Sequence, residues 1–441
     1  MKLTTCDEVL IAGGGLAGSE AAWQLARRGV RVTLLEMRPS RMTPAHATGL
    51  LGELVCSNSL GADGTSSPAG ILKQELRRMG SLIMSAADAS RVPAGGALAV
   101  DREKFAAYID AKLSAHPLVS VVRQEVTDIP AEPAIIATGP LTGGALAEKL
   151  KSLTGDGLLY FYDAASPIVT LESIDMEKAF KGSRYGKGAD YINCPMNEEE
   201  YRAFWEALVG AETALLHDFD EVPRHFEGCL PIEVMARRGP KTLLFGPLRP
   251  VGLEDGRGCC AVVQLRQDNL EGTLFNMVGF QTNLKWSEQK RVFRMIPALH
   301  NAEFVRMGVM HRNMFVCAPK VLDGYLRPAG RDALFLAGQI TGVEGYMEST
   351  AMGMAASVFM YCAISGRPLP KFPRETAIGS LLNYLVTAMP DTFQPMNVNL
   401  GIFPKLPGGK IRDRSERCAA YAIRSAEALE SFIAQNPQLL I

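Results

Sequence analysis

The chain has 441 residues and a mass of 47.7 kDa. At about 100–200 residues per domain, that length predicts two or three domains. Hydrophobic residues at 47% and charged residues at 21% exclude a wholly disordered, collagen-like or coiled-coil chain. With 46 basic and 47 acidic residues, the formal net charge is -1. That balance neither requires nor removes a nucleic-acid partner, because binding follows local patches. Nine cysteines at low density do not make a disulfide framework.

The first element is a short apolar run, Asp7 to Ala12, which reads as a buried parallel strand. Gly13-Gly14-Gly15-Leu16-Ala17-Gly18 follows and fits G-x-G-x-x-G. A helical pattern comes next, with Ala21, Ala22, Leu25 and Ala26 on one side and Gly29 as its stop. Arg31 to Leu35 reads as the second strand, and Glu36 stands at its end, 18 residues after Gly18. Gly13 allows the tight turn, Gly15 lets a pyrophosphate reach the backbone, and Gly18 lets helix and strand pack closely. Glu36 can accept hydrogen bonds from ribose hydroxyls. Strand, loop, helix, strand and acid together predict a dinucleotide site.

Two later segments argue for FAD over NAD. Ala134 to Pro140 is an apolar strand ending in Ala137-Thr138-Gly139, which resembles the strand that returns to the dinucleotide fold in large flavoproteins. Asp332 to Gln339 is another, ending in Ala337-Gly338-Gln339. Gly342 to Tyr346 then opens a helix containing the longest uncharged stretch, Ser349 to Gly366. That stretch reads as a buried helix, not a membrane span. No signal peptide is read. These features predict a soluble protein of a reducing compartment, the cytoplasm.

Between these segments, Asp101 is placed as the N-cap of a helix whose Phe105, Ile109 and Leu113 form one face. Leu118 to Val126 reads as strand. From about Leu158 to Pro319 the texture turns aromatic, charged and turn-rich, without a second G-x-G-x-x-G. The expected fold class is α/β: a Rossmann-like FAD-binding domain with a parallel sheet, interrupted by an inserted α+β domain. The expected boundaries are 1–157 and 320–441 for the two parts of the FAD domain and 158–319 for the insertion. Ser415 to Gln435 reads as an amphipathic closing helix.

Cys6, Cys194, Cys259, Cys260, Cys317, Cys362 and Cys418 sit in no reactive pattern and read as small core residues. There is no C-x-x-C, which excludes a flavin disulfide reductase, and the six histidines have no metal spacing, so no metal is expected. Cys56 and Cys229 stand out by context. Cys56 has Glu53-Leu54-Val55 before it and Ser57-Asn58-Ser59 after it. Cys229 lies between Gly228 and Leu230-Pro231, with Arg237, Arg238 and Lys241 following. Nearby cations favour the thiolate, the reactive form. From context alone, each cysteine remains open between function and packing.

Nearly end to end, the chain resembles the folate- and FAD-dependent tRNA (uracil-5-)-methyltransferase family, TrmFO. The resemblance rests on Gly13 to Gly18, Met42 to His46, Glu53 to Ser59, Ala97 to Arg102 and Phe226 to Met235. It continues through Phe245 to Leu253, Gln264 to Asn269, Asn276 to Lys285, Gly308 to Asn313 and Ala337 to Tyr346. Ala47 to Gly52 and Gly61 to Ala69 depart from the pattern. A neighbouring group that modifies the wobble uridine is longer, with a helical C-terminal domain; the end at Ile441 favours the T-loop family.

The resemblance implies a chemistry. A thiolate adding to uracil C6 makes C5 nucleophilic. Methylenetetrahydrofolate supplies the carbon, reduced FAD completes the methyl group, and NADH or NADPH re-reduces the flavin. Cys229 takes the nucleophile role and Cys56 assists near the flavin. The implied flavin contacts are Gly13 to Gly18, Glu36, Gly338, Gln339 and Gly342. The tRNA T-loop is the implied partner, with its uridine turned out of the stack. Candidate phosphate contacts are Arg237, Arg238, Lys241, Lys285, Lys290 and Arg294; Lys290 and Arg294 would share a helix face. No membrane and no obligate protein partner are expected. A ribosomal RNA uridine as target and a small-molecule flavin oxidoreductase stay open as alternatives.

Overall fold

The computed structural model describes residues 8–186, 188–214, 230–253, 259–408 and 411–439. A five-stranded parallel sheet forms the base. Its order is Leu334–Leu336, Ala134–Ile136, Glu8–Ala12, Arg31–Leu35, Val119–Val122. Three of these strands come from the sequence before residue 130, one from the return at Ala134, and one from the second return at Leu334. Ala134–Ile136 is buried and apolar on both faces, as a covered parallel sheet demands, while Glu8 and Arg31 begin their strands exposed. The expected strand from Leu118 to Val126 is shorter: the Gln124 amide turns back to the Val122 carbonyl, and Arg123 reaches across to the carbonyls of Arg38 and Gly49.

Helix Leu16–Arg27 covers one face, and the long helix Tyr346–Ile364 packs against it. The uncharged stretch is therefore buried inside protein, from Met347 to Met360 without a break. Among the described residues no helix is long and apolar enough to cross a membrane. Helix Arg102–Ser114 starts at Asp101, whose side chain accepts from the Lys104 amide, and it buries Phe105, Ile109 and Leu113.

The second body is a six-stranded antiparallel sheet. Its order is Phe180–Lys181, Tyr191–Met196, Ala261–Gln267, Leu274–Met277, Ile168–Thr170, Phe304–Arg306. One face carries Ile192, Cys194, Val263, Leu265, Phe275 and Met277 into a core of its own, shared with helix Glu198–Val209. The opposite face carries Tyr191, Asn193, Gln264, Arg266 and Asn276, and Tyr191, Arg266 and the end of this strand bond to the first body. The chain passes between the two bodies as an antiparallel pair, Leu158–Ala164 with Met310–Val316.

The closing helix Arg414–Gln435 is tied down by a buried carboxylate. Glu75 accepts from the amides of Ala377 and Ile378, at 2.5 and 3.0 Å, and from the Ser425 hydroxyl. Burial pushes its pKa from the ordinary 4.5 to about 7, against those three donors. The folded state thus holds this proton more tightly than the unfolded chain does. The stability so gained is complete below about pH 4.5 and is lost as pH rises through about 7, on the order of 3 kcal/mol. Glu75→Gln is expected to flatten that slope; chemical denaturation at several pH values checks it, and an unchanged slope would refute it.

Candidate active site

A cavity of about 790 Å³ opens at the carboxyl ends of the parallel strands, where open α/β sheets hold their ligands. Gly13, Gly15, Leu16, Ala17, Glu36, Gly338 and Gln339 line it. Gly13 has φ 101°, and a Cβ there would stand 2.5 Å from the Ala137 carbonyl oxygen. Gly15 faces open space, the room a phosphate needs beside the first turn of helix Leu16–Arg27. Gly14, Gly18 and Gly342 are not among the lining residues. A Cβ at Gly18 would meet the Gly13 oxygen at 1.8 Å, so Gly18 is there for packing. Gly342, at φ 93°, turns the chain against the Phe393 ring.

Glu36 is committed to more than a ligand. It accepts from the Gly14 amide at 2.8 Å and from the Arg38 amide and Nε at 3.0 and 2.8 Å. Burial pushes its pKa up, but the hydrogen bonds and charge of Arg38 outweigh this and hold it below the usual carboxylate range. Arg38, 2% exposed, also donates to Glu53 at 3.0 Å. Sequence reasoning missed Arg38; its only signal was proximity to Glu36. The two-carboxylate clasp keeps the acid ionised beside the glycine loop, ready to accept hydroxyl donors. The open space at Gly15, the ionised acid and the glycine at Gly338 fit an FAD.

The opposite wall comes from the second body: Thr282, Asn283, Leu284, Lys285 and Trp286, with Ala214. Buried Glu233 fixes this wall, accepting from the Thr282 hydroxyl at 2.8 Å and the Asn283 amide at 2.7 Å. Burial raises the Glu233 pKa, opposed by these donors. The Ile232 amide adds a bond to the Gln281 carbonyl at 2.7 Å. Helix Ile232–Arg237, which leads to the exposed Arg237, Arg238 and Lys241, is thereby attached directly to the cavity wall. Cys229 lies outside the described residues.

Cys56 is half-buried between two cavity-lining residues, Val55 and Tyr346. Its amide donates to the Tyr346 hydroxyl at 2.7 Å, and its thiol contacts the Ala164 carbonyl at 3.5 Å. Lys285 lines the cavity but pairs with Glu212 at 2.5 Å. Lys290 is in the last turn of helix Trp286–Phe293, and Arg294 is its C-cap. Arg294 donates Nε and Nη2 to the Ala302 carbonyl. Trp286, 64% exposed on the cavity mouth, was not foreseen; one indole beside a lysine carries no pattern in sequence.

The family model for glucose inhibited division protein A matches residues 8–368. A protein of Desulforudis audaxviator, named methylenetetrahydrofolate--tRNA-(uracil-5-)-methyltransferase TrmFO, is 58% identical over 97% of this chain and 98% of its own length. The protein of that name from Anoxybacillus flavithermus is 57% identical over 97% of this chain and 99% of its own. Among solved structures, Aquifex aeolicus GidA superposes with a TM-score of 0.69 at 16% identity, covering 98% of this chain and 74% of that one, which shows the shared fold. The chain belongs to the glucose inhibited division protein A family and, within it, to the TrmFO group.

Proposed function

We propose that this chain transfers a one-carbon unit from methylenetetrahydrofolate to C5 of the T-loop uridine of tRNA, as an FAD-dependent enzyme of the cytoplasm. The observation that carries this is 58% identity over nearly the whole of both chains to a protein of that named activity. FAD, re-reduced by NADH or NADPH, supplies the electrons that complete the methyl group. The chain's own residues supply the rest. Gly13, Gly15 and the helix start at Leu16 receive the pyrophosphate, Glu36 takes the ribose, and Gly338 and Gln339 border the flavin end. Cys229 adds to uracil C6, and Cys56 assists from the cavity edge. Residues 158–319 form the domain that presents the second wall, between the two parts of the FAD domain.

Methylation of a purified tRNA transcript with methylenetetrahydrofolate and NAD(P)H tests the reading, with mapping of the modified base. A yellow protein with no methylation of tRNA, but turnover of a small molecule, would replace it by an oxidoreductase. Methylation confined to ribosomal RNA would move the target.

RNA is expected to approach on the side of Arg237, Arg238 and Lys241, with Trp286 stacking on a base at the cavity mouth. The Arg237→Ala/Arg238→Ala variant should reduce the salt slope of RNA binding by about 2. Base–aromatic stacking contributes about 1–3 kcal/mol, so Trp286→Ala should weaken RNA roughly 5- to 150-fold. Both variants should leave flavin reduction by NAD(P)H intact. RNA affinity unchanged in both would place the RNA elsewhere.

A further inference from the structure

Three arginines, distant in sequence, converge on the loop that carries Cys56. Arg102, the first residue of helix Arg102–Ser114, donates Nη1 to the Leu54 carbonyl at 2.9 Å and Nη2 to the Cys56 carbonyl at 2.7 Å. Arg306, at the end of Phe304–Arg306, donates Nη2 to the carbonyls of Val55 at 2.6 Å and Ala45 at 3.2 Å. Arg266, within Ala261–Gln267, donates Nε to Asn58 Oδ1 at 2.9 Å and Nη2 to Ser57 Oγ at 2.6 Å. Every residue from Leu54 to Asn58 is thus held by one of three guanidiniums. Two of them belong to the antiparallel sheet and one to the first body.

The charges do not cancel. Among the described residues the three arginines have one carboxylate partner, Asp268, bound to Arg102 Nε at 3.1 and 3.0 Å. Tyr191 faces Arg266, and Tyr346 faces Arg306 and the Cys56 amide. Burying a guanidinium is costly, and an unneutralised one calls for an anion. Burial and the neighbouring Arg102 lower the pKa of both Arg266 and Arg306; the charges of Asp268 and of an ionised Cys56 oppose this at both. The contact of the thiol with the Ala164 carbonyl suits the protonated sulfur, but a sulfhydryl is a weak donor. Three guanidiniums against one carboxylate leave the surroundings of the loop net positive, which favours an anionic sulfur.

We propose that Arg102, Arg266 and Arg306 are positioning residues that fix the Cys56 loop at the cavity edge and hold its sulfur as the thiolate. This rests on and deepens the reading of Cys56 as the assisting thiol. It also gives the antiparallel sheet a second task, since Arg266 and Arg306 reach from it to the sulfur's loop. A Cys56 held as an anion can take up a proton during turnover or attack an electrophile, which a buried neutral thiol does poorly.

The test is alkylation of Cys56 by iodoacetamide in the FAD-loaded full chain, as a function of pH. It is read by mass on the tryptic peptide Met42 to Lys73, whose single cysteine is Cys56. The midpoint is expected at least about one unit below the free-thiol value of about 8.5. Arg266→Gln and Arg306→Gln should each raise it by about one unit, which is about tenfold less thiolate below the midpoint. Arg306→Lys keeps the charge without the fork and should retain most of the depression. A midpoint at or above about 8.5 in the unaltered protein overturns the proposal. So do Gln variants that bind FAD normally and keep the original profile. If the Gln variants fail to fold, the unaltered midpoint and Arg306→Lys still decide. Methyl transfer is not part of the readout, so failure of the proposed reaction and failure of the clamp are separate results.

Discussion

Cys229→Ala is expected to abolish methyl transfer, by on the order of 10³-fold or more, while the protein stays yellow with bound FAD. The residues assigned to the flavin, Gly13 to Gly18, Glu36, Gly338, Gln339 and Gly342, do not include Cys229, so FAD should be retained. An RNA carrying 5-fluorouridine at the target should trap the attacking thiolate, because fluorine cannot leave C5 as a proton does. The adduct should be absent in Cys229→Ala. In Cys56→Ala turnover should also be lost, and persistence of the adduct would assign Cys56 to a step after attack. An adduct that forms in Cys229→Ala and maps to Cys56 would reverse the two roles. Full activity in Cys229→Ala would remove the nucleophile assignment. The three cations after Cys229 belong to a segment that Ile232 and Glu233 bind to the cavity wall, so charge and wall are built together.

What could be read from the sequence was local. The glycine loop, the two Ala-Gly or Ala-Thr-Gly strand ends and the Asp101 cap each answer a constraint within a few residues, and each stands where its pattern placed it. The antiparallel sheet from Ile168 to Arg306 was legible only as a change of texture, because its strands are short and pair across long loops. The arginine clamp was invisible for a stronger reason. Arg102, Arg266 and Arg306 share no motif, and only the packing of two bodies brings them to one loop. The present partners of the candidate phosphate contacts were equally out of reach. Lys285 and Arg294 are cations in sequence, but Glu212 and the Ala302 carbonyl already engage them.

Two glycine substitutions should separate cofactor space from architecture. Gly353 lies in the middle of helix Tyr346–Ile364, where alanine would ordinarily stabilise by about 1 kcal/mol. Here its Cβ would stand 2.2 Å from the Ala17 carbonyl oxygen and 2.8 Å from the Ala17 Cα. Those atoms are backbone of the facing helix and cannot swing away, so the helices must part. Ala17 also meets the space above Gly338, where a Cβ would stand 2.8 Å from the Ala17 Cβ. Parting the helices therefore moves the glycine loop relative to the Gly338 segment across the cavity. Gly353→Ala is expected to lower stability by about 1–3 kcal/mol and to weaken FAD binding together. Gly15→Ala is the contrast. Its φ of -74° suits alanine, and its Cβ would enter space that no protein atom occupies within 4 Å. Without FAD it should melt like the unaltered protein, yet it should bind FAD poorly, because the added methyl stands where the pyrophosphate approaches. Thermal unfolding with and without FAD, alongside FAD titration, measures both. A stabilised Gly353→Ala would mean the helices give way easily, and normal FAD affinity in Gly15→Ala would move the phosphates off this loop.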